Sequence, residues 1–96
     1  MHAAKKLQFE KMLGAIRKFF KCADSETRRS CLDGLANQCN VIIDKCNDVI
    51  TCKNVFALQT SADQMLMLVV ETHQVALVQK FACHVKTMLA TKEKCH

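Results

Sequence analysis

No proline occurs in the 96 residues, and there are only two glycines, Gly14 and Gly34. A sheet protein of this length needs a turn about every 8 to 12 residues, and turns draw on these two residue types. The chain lacks that punctuation, so its apolar residues have to be read for the periodicity of a helix. They recur at steps of three and four, which brings side chains onto one face of an α-helix.

Three segments follow. Over residues 3–23, Phe9, Met12, Leu13, Ile16, Phe19 and Phe20 form an apolar stripe, with Lys11, Arg17, Lys18 and Lys21 mostly outside it. Asp24 or Ser25 then supplies the side-chain oxygen that starts a second helix, and Glu26 suits the positive end of its dipole. Over residues 25–52, Leu32, Leu35, Cys39, Ile42, Cys46 and Val49 form a seam of the kind that faces a partner helix. The pattern stays in phase across Gly34, which predicts one helix; a break near Gly34 would make the bundle four-helical. Ser61 to Gln64 has the Ser-x-x-Gln form of a capping box, which predicts a third helix over residues 62–91.

That third segment is apolar nearly all round. Leu66, Val70, His73, Leu77, Phe81, His84 and Met88 make one stripe, and Met67, Val78, Ala82, Val85 and Leu89 a second. Two neighbouring helices need a stripe only about 100° wide or somewhat more, so spare apolar surface is expected. A partner would cover it, or the Val55 to Leu58 segment would fold back and close it within one chain. A single domain over residues 1–96 is all that this length can build. The expected fold is all-α, an antiparallel bundle of about three long helices.

Half of the residues are apolar and the net charge is +5. The surplus sits at the start, where the first 29 residues hold eight Lys or Arg against Glu10, Asp24 and Glu26. Lys11, Arg17, Lys18, Lys21, Arg28 and Arg29 are therefore the candidate basic surface. Nucleic acid is a poor match for it: Trp and Tyr are absent, so stacking is weak, and Arg, the usual base reader, is scarce. Read alone, the first helix resembles a membrane-surface or groove-binding peptide, but a bundle needs the same apolar face for its own core.

Seven cysteines and four histidines invite a search for metal or catalysis. No C-x-x-C or H-x-x-x-H occurs, and Cys39 and Cys46 lie about 10 Å apart along a helix axis, too far to share one ion. No Gly-rich loop or phosphate cradle is present. No metal, cofactor, small-molecule substrate or catalytic residue is expected. The odd cysteine count, the lack of an Asn-x-Ser/Thr sequon and of a leading apolar signal segment, and the core-type positions of most cysteines favour reduced thiols in an intracellular, cytoplasmic protein. The longest apolar run, Met65 to Val70, is far too short to cross a bilayer.

The expected function is a non-catalytic protein–protein interaction module of the adaptor or scaffold type. It would bind a second copy or a partner helix through Met65, Met67, Val78, Val85 and Leu89 of the third helix. Peripheral membrane attachment through the basic first helix is the alternative, and a secreted, disulfide-bonded helical factor the second.

Overall fold

Among the described residues there are four α-helices and one short 3₁₀ turn: α1 (His2–Cys22), α2 (Ser25–Cys46), the turn Asn47–Val49, α3 (Cys52–Thr72) and α4 (Val75–Thr91). The computed structural model describes residues 2–22, 24–72 and 75–92, and for 2, 22 and 70–72 it describes the backbone alone. The all-helical expectation holds. The helix count does not follow either expected route, because α2 runs unbroken through Gly34 and the extra division falls inside the third segment.

Each helix buries one stripe at steps of three and four. On α1 it is Phe9, Met12, Ile16 and Phe19; on α2 it is Leu32, Ala36, Cys39, Ile43 and Cys46. The stripe on α3 is Val55, Leu58, Ala62 and Met65, and on α4 it is Val78, Phe81, Val85 and Met88. These residues form one continuous core. At about 25 cal/mol per Å² of apolar surface removed from water, this burial is the main force holding the helices together.

The helices pack as two hairpins. Arg28 Nη2 donates to the Phe20 carbonyl at 2.7 Å, and Lys5 Nζ donates to Asp48 Oδ2 at 3.0 Å, so α1 and α2 run antiparallel with both ends tied. The two hairpins meet mainly where α2 lies against α4. Asn40 reaches the Leu77 carbonyl and Lys92 Nζ reaches the Asn47 carbonyl at 2.8 Å, so these two helices run parallel. The bundle therefore departs from the purely antiparallel arrangement expected. Lys92 thus ties the end of α4 to the carbonyl at the start of the 3₁₀ turn, just after residue 46.

Asp24 caps α2, accepting a hydrogen bond at Oδ1 from the Thr27 N–H at 2.8 Å. The Thr27 backbone N–H, with the Thr27 side chain second, holds the Asp24 carboxyl below its usual range. A depressed folded-state pKa means that the stability this group adds is present above the unfolded value and lost as pH falls through the folded one. Asp24→Asn, which can still cap, should keep most of the melting temperature at pH 7 and flatten its decline below about pH 4. Thermal melts from pH 7 to 2 check this; an unchanged acid limb would assign that limb to other carboxyls.

Candidate functional site

The third-helix interface is corrected by the helix boundaries. The expected helix over residues 62–91 is the C-terminal half of α3 plus α4, folded against each other. Met65, Val78 and Val85 are in the core and Leu89 packs half-buried against it, while only Met67 faces solvent, 75% exposed. The apolar surface reserved for a partner is thus covered by the chain itself, with Val55 and Leu58 of α3 contributing as the closed alternative required. The Val70 side chain and His73, which the same stripe included, lie outside the described residues. Ser61 does not cap a helix either: its hydroxyl donates to the Ala57 carbonyl within α3 at 3.2 Å.

The basic candidates divide. Lys11, Arg17, Lys18, Lys21 and Arg29 are exposed, whereas Arg28 is half-buried and spends a guanidinium N–H on the last turn of α1. Arg28 therefore belongs to the hairpin rather than to a binding surface. The apolar stripe of α1 through Phe9, Met12, Ile16 and Phe19 is used inside the bundle, so a docked α1 offers a membrane little beyond its cations and Leu7.

Two features were not foreseen. The first is a groove of about 760 Å³ between α1 and α2, floored by Phe19 and Leu35, walled by Ala15, Cys31 and Gly34, and edged by Lys18, Asp24, Thr27, Ser30 and Gln38. Small residues leave the space open: a Cβ built on Gly34 would meet no atom within 4 Å. The signal was in the sequence, since Ala15, Cys31 and Gly34 are small residues beside a seam of large ones.

The second is a polar cluster between α2 and α4. Asn40, only 2% exposed, donates from Nδ2 to the Leu77 carbonyl at 3.1 Å. Its Oδ1 is then the acceptor, so His84 donates from Nδ1 across 3.1 Å, and His84 Nε2 lies 3.5 Å from Asp44 Oδ1. Every polar atom of the Asn40 amide is thus engaged in fixing the register of the two parallel helices. His84 serves this contact through Nδ1.

The cysteines require one correction. Cys31, Cys39, Cys46 and Cys83 are free thiols, but Cys52 is disulfide-bonded, and its partner lies outside the described residues. Burial pushes the Cys39 thiol up to about 12, so it is an inert core group rather than a nucleophile. Among the described residues no group of three His, Cys, Asp or Glu could hold a metal ion. No helix there is long and apolar enough to cross a membrane. No family model, curated protein or solved structure matches the chain, so its role has to be argued from its own residues.

Proposed function

We propose that this protein is a non-catalytic helical interaction module of the adaptor or scaffold kind, and that its partner meets the α1–α2 hairpin. The observation that carries this reading is the open groove beside Phe19 and Leu35. The inner faces of all four helices are consumed by one core, and the groove is where apolar floor remains within reach of another molecule. His84 and Asn40, the groups best suited to chemistry, are occupied in holding α2 to α4.

A paired affinity capture tests it. Wild-type protein and Gly34→Leu, whose added side chain has room to lie in the groove, are cross-linked to partners and compared by mass spectrometry. A protein enriched by the wild type and lost with the variant, at equal melting temperatures, supports the reading. Equal capture by both moves the partner to another face.

The disulfide at Cys52 favours a second reading of the compartment. Stable disulfides belong to oxidising environments, which suits a secreted helical factor better than a cytoplasmic module. Alkylating thiols at the moment the source cells are opened separates the two: a blocked Cys52 places the module in a reducing compartment, and an unreactive one in an oxidising compartment.

A further inference from the structure

We infer that the outer face of the α1–α2 hairpin takes one amphipathic helix of a partner protein, apolar along its centre and acidic along its flanks. This rests on the interaction-module reading and gives the partner its chemistry.

The apolar part of the face is longer than the groove. The ties from Lys5 to Asp48 and from Arg28 to Phe20 set the register of the hairpin, which brings Leu7 of α1 level with the Val41 region of α2. Leu7 is 54% exposed and Val41 45% exposed. On α2, Cys31, Gly34, Gln38, Val41 and Lys45 fall at steps of three and four and share one stripe. On α1, Leu7, Lys11 and Lys18 share another. From Leu7 to Phe19 the face extends about 18 Å, the length of roughly three turns of a docked helix. At the centre of the groove Gly34 leaves the backbone bare, so an incoming side chain can approach closely.

Charge decides what kind of helix fits. Lys11 and Lys18 stand on the α1 side and Lys45 on the α2 side, all exposed and none with an ion-pair partner among the described residues. The acids of α2 are elsewhere: Glu26, Asp33 and Asp44 fall roughly 100 to 120° around the helix from the centre of the Gly34 stripe at 100° per residue, and Asp44 meets His84 of α4. Asp24, the acid at the groove, already accepts from Thr27. The face is therefore an apolar strip between cations, complementary to a helix carrying Leu-type residues at steps of three and four with Glu or Asp beside them. The groove is open rather than enclosed, which suits side chains of a docked segment better than a small molecule buried on most sides.

The test uses the full chain and two dye-labelled synthetic helical peptides of equal length, one with Leu flanked by Glu, the other with Lys in place of every Glu. Fluorescence anisotropy at about 150 mM salt, where exposed charges beyond about 8 Å are screened, should show saturable binding of the Glu peptide. The Lys peptide should bind at least about tenfold more weakly. Gly34→Leu should lose about tenfold at an unchanged melting temperature, and Lys11→Glu with Lys18→Glu should reverse the preference between peptides. Met67→Glu, on α3 and fully outside this face, should change nothing. Equal binding of both peptides, no binding of either, or full affinity in Gly34→Leu would overturn the inference. So would binding to phosphatidylserine vesicles with no preference between peptides, which would favour a membrane surface. If partner capture depends on Gly34 while the peptides are not discriminated, the interaction reading stands and the acidic helix falls.

Discussion

Replacing Phe81 by alanine should cost about 3 to 5 kcal/mol, while the same replacement at Phe56 should stay within about 0.5 kcal/mol. The substitution removes the same atoms in both cases, so the difference isolates burial. Phe81 is fully enclosed at the centre of α4, in the core that joins α4 to α2 and α3, and Phe56 is 52% exposed on α3. Removing the Phe81 ring takes away its transfer free energy and leaves a cavity that rigid helices on two sides cannot collapse to fill. A domain of this size has a total stability on the order of 5 to 15 kcal/mol, so Phe81→Ala should be partly unfolded at 37 °C. Urea titrations of both variants give the comparison directly. A small loss at Phe81, or a large one at Phe56, would mean that the packing of α3 and α4 differs from the one described.

Phe56 also marks where the sequence was silent. All five phenylalanines suit a core by composition, and nothing in a single residue type says that one of them points outward. Its neighbours Val55 and Leu58 do carry the signal, because they continue through Ala62 and Met65 at steps of three and four, and all four are buried. Thr51, just before α3, accepts the Val55 N–H on its carbonyl at 3.0 Å, and threonine is a favoured residue type at that position. The start of α3 was therefore legible, but Ser61 to Gln64 offered a stronger-looking start inside the helix. Ser-x-x-Gln is ambiguous for a physical reason: a mid-helix serine can bond the carbonyl four residues back, as Ser61 does with Ala57.

The division between α3 and α4 left a subtler trace. Continued from Met65 in steps of four and three, the buried seam would fall on Val69, Thr72, Ala76, Gln79, Cys83 and Lys86, which turns polar halfway. The positions buried in α4 are Val78, Phe81, Val85 and Met88, two residues out of phase. A slip of two residues turns the seam by about 160°, which one straight helix cannot present to a single neighbour. The apparent all-round apolarity was two ordinary stripes on two helices, read as one.

By contrast, α1, the Asp24 cap and the seam of α2 were all legible, because each is set by local propensity and periodicity. Only the C-terminal end of α2 came out shorter, at Cys46. The pairing of Asn40 with His84 depends on how the two hairpins stack, which one chain's periodicity does not encode.

Thiol counting on unfolded, unreduced protein should find five groups rather than seven, since Cys52 is in a disulfide and a disulfide removes two. The count should build in two stages. In the folded protein Cys31 and Cys83 are exposed and should react at once, while Cys39 and Cys46 are buried and should react only on unfolding. For Cys39 the rate should stay low even at alkaline pH, because burial opposes its thiolate. The other half of the bond is narrowed by elimination. Cys31, Cys39, Cys46 and Cys83 are free, and Cys22 ends α1 about 25 Å along the helix from Lys5, whose side chain holds Asp48 four residues before Cys52. A disulfide needs Cα atoms within about 7 Å, so non-reducing peptide mapping is expected to find Cys52 cross-linked to none of these five cysteines. In the chain-entropy account a bond closing a loop of about 30 to 45 residues restricts the unfolded chain by about 4 kcal/mol, so Cys52→Ser should lower stability by roughly that amount. The effect should vanish in reductant, where wild type and variant should melt together. Seven reactive thiols in protein alkylated at the source would remove the bond, and with it the case for an oxidising compartment.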